Sequence, residues 1–206
     1  MAARVEAVPV GALGTNCYLW KNLDTSECLI IDPGDEAEKI LAALGDFAPR
    51  AVLLTHGHYD HIAACDALCE RYAVPLYIHE LDAPLLTDPR LNVSGLIGED
   101  AVTVRTVPEL VREGDRLTLA GLSLTVLHTP GHTPGGVCYW TDDHSALFCG
   151  DTLFAGGYGR TDFPGGNFTQ LRQSLRRLLT LTPRTSAYPG HGESTFAGRG
   201  ESGARA

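Results

Sequence analysis

Four apolar runs along this chain each end in a short turn followed by a residue that can bind metal, and that order limits the possible folds more than any other feature. The first run, Ala51-Val52-Leu53-Leu54, leads into Thr55-His56-Gly57-His58-Tyr59-Asp60-His61, an H-x-H-x-D-H stretch. His132 then stands in Thr129-Pro130-Gly131-His132-Thr133, Asp151 in Phe148-Cys149-Gly150-Asp151-Thr152, and His191 in Tyr188-Pro189-Gly190-His191-Gly192. Loops at the ends of rigid strands can converge on one site, so the expected fold brings four strand ends to a common edge. Five imidazoles and two carboxylates are too many for one tetrahedral centre and suit two divalent cations.

Spacing supports part of a division between two cations. Residues two apart in an extended segment point the same way, so His56 and His58 can chelate one ion, while His61 breaks the alternation and must face elsewhere. Taken singly, any of these histidines reads as a polar loop residue. That reading does not account for four ligand types in one stretch followed by three more in matching contexts.

The ordered set resembles the metallo-β-lactamase-fold hydrolases, and within them the glyoxalase II-like (hydroxyacylglutathione hydrolase-like) branch, over nearly the whole chain from about residue 5 to residue 191. The resemblance implies that His56, His58 and His132 hold one metal. Asp60, His61 and His191 would hold a second, with Asp151 bridging the two. It also implies zinc as the first choice of metal, with iron or manganese as alternatives, and a catalytic role for Asp60 in orienting the attacking hydroxide. The implied fold is a four-layer αββα sandwich, where periodicity alone stops at a one-domain α/β or α+β protein.

Along the chain, residues 5–10, 16–20 and 27–32 read as an antiparallel meander, and 35–44 as a helix. A short buried strand at 51–54 precedes a helix over 61–72, a strand at 76–79 and a helical turn near 80–86. Residues 88–98 look like loop. Strands follow at 116–119, 122–127, 137–140 and 146–149. A helix over 168–181 has Leu171, Leu175, Leu178 and Leu179 on one face, and a last strand spans 186–188. The expected domain is 1–196, with 197–206 as a Gly/Arg/Ser/Ala-rich, frayed tail.

A chain of 206 residues suits one large domain. A net charge of −9 disfavours nucleic acid or an anionic membrane as partner. The N-terminus has no apolar signal core and no stretch approaches membrane-spanning length, so the cytoplasm is the expected compartment. Cys17, Cys28, Cys65, Cys69, Cys138 and Cys149 form no C-x-x-C pair and read as small buried hydrophobes. Nothing in the sequence speaks to oligomeric state.

The expected partner is a small-molecule thioester, since a thiolate with a pKa of about 8.5 leaves without an extra general acid. Arg160, in the Gly-rich stretch after Asp151, matches a basic substrate-binding position of the resembled branch. Asp162 and Glu193 stand where the glutathione-specific enzymes have aromatic residues, and no C-terminal helical segment follows His191. These departures leave the metal chemistry intact and weaken the expectation of glutathione specificity. Between His128 and His132, the Pro-Gly turn and the resemblance favour His132 as ligand and give His128 a supporting role; His79 and His144 read as ordinary.

Several rivals can be weighed. A true β-lactamase is disfavoured by Asp151 standing where those enzymes are expected to have Cys, and by His61. A nuclease would need a basic exosite, and a flavodiiron protein a Glu in the ligand run. A mononuclear-iron persulfide dioxygenase shares the Gly-Arg-Thr-Asp-Phe stretch at 159–163 and would use the His56, His132 and Asp151 positions alone. A non-catalytic, metal-stabilised binding module is the reading from another class, against which all seven ligand positions being filled counts.

Overall fold

The computed structural model describes residues 2–97, 100–182 and 184–197. Its opening strands β1 (Ala3–Val10), β2 (Thr15–Asn22) and β3 (Glu27–Ile31) pair as an antiparallel meander. Helix α1 (Ala37–Leu44) then carries the chain over to β4 (Ala48–Leu53), parallel to β3. Two short helices, α2 (Tyr59–Ile62) and α3 (Cys65–Tyr72), lead to β5 (Leu76–His79). After a 3-10 turn at Ala83–Leu86 and the short helix α4 (Ser94–Ile97), β6 (Glu109–Val111) closes a sheet ordered β1-β2-β3-β4-β5-β6. The second sheet is ordered β12-β11-β10-β9-β8-β7, from β7 (Arg116–Leu119), β8 (Leu122–His128), β9 (Val137–Thr141), β10 (Ala146–Gly150), β11 (Ser186–Pro189) and β12 (Thr195–Phe196). Helix α5 (Phe168–Leu178) joins β10 to β11, which pair in parallel.

Alternation along the strands decides which layer each side chain joins. On β2, Tyr18 and Trp20 face the second sheet, where they share a core with Leu124, Tyr139 and Phe148. Cys17 and Leu19 point the other way and pack with Ile40 of α1 and Leu68 of α3. On the far side of the second sheet, Leu127, Cys138, Leu147 and Cys149 pack against Leu178 of α5. The result is the mixed two-sheet αββα sandwich, with all six cysteines free and buried. Among the described residues no helix is long and apolar enough to cross a membrane.

Phe148 sits at the middle of the inter-sheet core, 0% exposed, with its ring 5.6 Å from Tyr18, 5.8 Å from Trp20 and 5.4 Å from Tyr188. Phe148→Ala is expected to cost about 3–5 kcal/mol, from lost transfer energy and an unfilled cavity. Equilibrium urea unfolding measures this, and a loss under about 1 kcal/mol would show that the sheets collapse onto the gap.

Several element boundaries differ from the expectation. The single helix over 61–72 is two helices, because the Ala64 N–H donates to the Pro33 carbonyl at 3.0 Å and leaves the helical ladder. The loop at 88–98 contains α4, and the edge strands β6 and β12 lacked a readable pattern. Helix α5 stops at Leu178, leaving Leu179 43% exposed. Ala197, the first residue of the expected tail, is buried and its N–H donates to the Thr185 carbonyl; residues 198–206 lie outside the described residues.

Candidate metal centre

Strands β4, β8, β10 and β11 all end at one edge of the sandwich, and the residues that follow them meet there. His56 and His58 follow β4, His132 follows β8, Asp151 follows β10 and His191 follows β11, while Asp60 and His61 lie on α2. Their donor atoms form overlapping groups: His56, His58 and His132; His56, His61 and Asp151; and Asp60, His61 and His191, each within 4.8 Å. All seven sequence-derived donors therefore come together. Asp151 stands between the first and last groups. Its Oδ1 is 3.5 Å from His61 Nε2, and its Oδ2 is 3.5 Å from His132 Nε2 and 3.6 Å from His191 Nε2.

The outward nitrogens of His56, His132 and His191 are held by acceptors, which aims their other nitrogens inward. His132 Nδ1 lies 2.7 Å from the Arg160 carbonyl, which can only accept, so the proton sits on Nδ1 and Nε2 is left with a lone pair. His191 Nδ1 likewise faces the Leu13 carbonyl at 3.3 Å, while its Nε2 lies 3.2 Å from Asp60 Oδ2. Thr55 Oγ1 gives its hydrogen to Asp32 Oδ2 at 2.6 Å, so it accepts from His56 Nδ1 at 3.2 Å and fixes that tautomer too. Asp32 Oδ2 also lies 3.1 Å from His61 Nδ1. One buried carboxylate thus orients an imidazole in each half of the site.

The charge balance calls for cations. Burial, reinforced by neighbouring imidazoles, holds His56 and His58 well below the ordinary histidine range, so both are neutral donors. Burial would lower His61 as well, but Asp60, Asp32 and Asp151 outweigh it and push the ring up to about 10. Burial raises Asp60, and the charge of His61 with hydrogen bonds from His191 and Thr15 reverses this, leaving the carboxyl well below its usual range. Positive charge is needed among these carboxylates, and a proton or a divalent cation meets that need.

Two further observations fit metal. His58 Nδ1 lies 2.9 Å from the lone pair of His132 Nε2, so either His58 donates its ring proton there or a cation lies between the two nitrogens. His56 Nε2, His58 Nε2, His61 Nε2 and Asp151 Oδ1 are buried without a hydrogen-bond partner, a costly arrangement unless a ligand completes it.

Close backbone approach builds the cradle. A Cβ on Gly190 would lie 2.2 Å from Asp151 Oδ1 and 2.6 Å from His61 Cε1, so only glycine fits before His191. Gly131 adopts φ +136°, and a Cβ there would meet Leu171 N of α5 at 2.2 Å. The Pro-Gly turn therefore seats the His132 loop on that helix. Asn16 Nδ2 donates to the Pro189 and Gly192 carbonyls at 3.1 and 2.9 Å, and Tyr18 Oη donates to Pro189 at 2.7 Å, clamping the His191 loop to β2.

Thr15, Asn16, Tyr18 and Asp32 escaped the sequence reading. Only Asp32 left a signal, in Asp32-Pro33-Gly34 directly after an apolar strand. Its φ of 52° is a left-handed conformation that Asp tolerates better than most side chains. His128 takes the supporting role expected of it, with Nε2 on the Pro134 carbonyl at 2.9 Å and its ring stacked on His79 at 4.2 Å. His144 stacks on Trp140 in a surface turn.

The donors open onto a cleft of about 410 Å³, walled by Leu13, Val93, Ile97, Phe154 and Phe163, with Tyr59 and Arg160. Arg160 reaches this wall, but its guanidinium also forks Asp162 at 2.7 Å through two nitrogens and lies over the Phe163 ring at 4.0 Å.

The profile of the metallo-beta-lactamase superfamily matches residues 10–191. The chain is 39% identical to a protein named "probable metallo-hydrolase YqgX" from Bacillus subtilis (strain 168), over 91% of this chain and 90% of that one. It is 37% identical to hydroxyacylglutathione hydrolase GloC of Haemophilus influenzae (strain ATCC 51907 / DSM 11121 / KW20 / Rd), over 95% and 93%. Among solved structures it superposes on BLEG-1, described as a B3 metallo-beta-lactamase, with TM-score 0.89 at 38% identity, covering 94% of each chain. TTHA1623 in a di-iron-bound form gives TM-score 0.80 at 40% identity, covering 93% of this chain and 94% of that one. ETHE1 from Myxococcus xanthus gives 0.74 at 31% identity, covering 94% and 79%.

Proposed function

The chain belongs to the metallo-beta-lactamase superfamily, whose members are generally metal-dependent hydrolases, and on that footing we propose that it hydrolyses small S-acyl thioesters. His56, His58 and His132 would hold one divalent ion and Asp60, His61 and His191 a second, with Asp151 between them. The metal is proposed as zinc, with iron or manganese as alternatives; a di-iron form of a similar protein supports iron. Bound there, two such ions supply a water that ionises near neutral pH and a Lewis acid for a carbonyl oxygen.

The chain's own residues do the rest. Asp60 Oδ2 is held by Thr15 Oγ1 at 2.8 Å and lies 3.2 Å from His191 Nε2, so it is a fixed acceptor that orients the attacking water. Apart from the seven donors, the described residues of the cleft wall include no carboxylic acid and no further imidazole, and the weakly acidic Tyr59 phenol is the other proton donor beside Arg160. This observation carries the choice of substrate. An amine or alkoxide leaving group needs a proton as it departs, whereas a thiolate, with a pKa of about 8.5, does not.

The deciding experiment is elemental analysis of protein purified without added metal, paired with a panel of thioesters, a phosphodiester and a β-lactam. Two ions per chain and thioester cleavage alone are expected. The β-lactam belongs in the panel because BLEG-1 is described as a β-lactamase, and its cleavage without thioesterase activity would replace the substrate proposed here. A single tightly bound iron with oxygen uptake on glutathione persulfide would favour the dioxygenase reading instead.

Arg160 is proposed to steer an anionic end of the substrate. Because its guanidinium already pairs with exposed Asp162, the effect is expected to be modest: Arg160→Ala raises KM for an anionic thioester by about three- to fivefold and changes kcat little. Steady-state kinetics on S-lactoylglutathione and an uncharged acyl thioester will show it. An equal rise for both substrates would mean that Arg160 supports the wall and does not read charge.

A further inference from the structure

Asp82 is 0% exposed and belongs to no recognisable motif. It stands at the N-cap of the 3-10 turn Ala83–Leu86, where an Asp side chain ordinarily accepts from the turn's own amides, yet its side chain makes no such bond. The carboxylate is turned toward the metal centre. Oδ2 accepts from the Gly57 N–H at 3.0 Å and from Thr133 Oγ1 at 2.7 Å, and Oδ1 accepts from the Gly135 N–H at 2.6 Å.

Those donors frame one half of the site. Gly57 lies between His56 and His58, and Thr133 directly follows His132. Both glycines are pressed onto the Asp82 turn: a Cβ on Gly135 would meet Asp82 N at 2.5 Å, and one on Gly57 would meet Leu85 Cβ at 2.6 Å. The His191 loop is held from elsewhere, through Asn16 and Tyr18, and His61 lies beside Asp32. Among the described residues, the Asp82 side chain makes its hydrogen bonds to Gly57, Thr133 and Gly135 and none to that half.

We propose that Asp82 is the positioning residue for the His56, His58 and His132 group, setting the affinity of that group for its metal ion and leaving the Asp60, His61 and His191 group largely unaffected. The inference rests on the metal-site part of the functional reading and not on the thioester.

Asn is a sharp probe at this position. In one flip its NH2 faces the Gly135 N–H, and in the other it faces the Gly57 N–H, so one backbone donor loses its acceptor either way. Residues that orient ligands from behind typically change metal affinity by about 10–100-fold.

The test is chelator competition with Zn(II), and with Co(II) read by its absorption, on the full chain and on Asp82→Asn, Thr133→Val and Asp32→Asn. Asp82→Asn should weaken one site about 10–100-fold and change the Co(II) spectrum of the three-imidazole site, while the other site moves less than about threefold. Thr133→Val removes a single bond and should do the same more mildly, which keeps the test decisive if Asp82→Asn fails to fold. Asp32→Asn, whose carboxylate serves His61 directly and His56 through Thr55, should weaken both sites and gives the non-selective pattern for comparison. Equal weakening of both sites by the Asp82 and Thr133 variants, or no weakening at all, overturns the proposal. If the unaltered chain binds one ion only, the two-ion reading fails, and Asp82 is still judged by whether that ion's affinity falls.

Discussion

Asp151→Asn is expected to lower turnover by about a thousandfold or more while the protein stays folded. Asp151 reaches both groups of donors, with Oδ1 toward His61 and Oδ2 toward His132 and His191. Asn matches its shape, so the core around Cys149 and Phe148 is not disturbed. It offers a single oxygen, and its NH2 cannot replace a carboxylate oxygen beside the charged His61 ring or a cation. Both proposed ions should therefore be held less tightly, unlike the result of removing a donor that serves one group only. Elemental analysis with steady-state kinetics checks both parts. Turnover within tenfold of the unaltered protein, or a crystal structure with Asp151 touching neither ion, would end the bridging role.

The second large effect separates two neighbouring histidines. His132→Ala is expected to lower metal affinity by at least about 10–100-fold and remove most activity, whereas His128→Ala keeps its metal. His132 Nε2 faces His58 Nδ1 and Asp151 Oδ2, while its Nδ1 is tied to the Arg160 carbonyl. His128 spends its Nε2 proton on the Pro134 carbonyl and its ring face on His79. Losing it should cost about 1 kcal/mol of stability, the worth of one hydrogen bond and some packing. Metal content and thermal melts of both variants, measured side by side, are the check. Equal loss of metal from the two would mean that the Pro-Gly turn does not select the ligand.

How much of this was legible in the sequence varied with how local the cause was. The meander, the strands at β4, β5 and β7 to β11 and the helices α1 and α5 announce themselves by periodicity, because burial of one face repeats with the strand or helix period. Strand β6 has only three residues and β12 two, too few for alternation to register. The break between α2 and α3 is set by the Pro33 carbonyl, which captures an amide from a helix that begins some thirty residues later. Arg160 was found as a basic residue near the site, but its pairing with Asp162 over Phe163 depends on the conformation of the Gly-rich loop.

The seven donors were readable because metal chemistry restricts them to His and Asp, and because each follows an apolar strand and a turn, all within a few residues of sequence. The residues that aim those donors were not readable. Asp82 bonds to Gly57, Thr133 and Gly135 across 25, 51 and 53 positions, and Asn16 reaches Pro189 across 173. A hydrogen bond requires atoms about 3 Å apart, and nothing in local spacing says which distant amide will arrive there. Sequence alone determined the donors and the strand ends that carry them; the sandwich decided which nitrogen of each ring faces inward and which buried carboxylate holds each half in place.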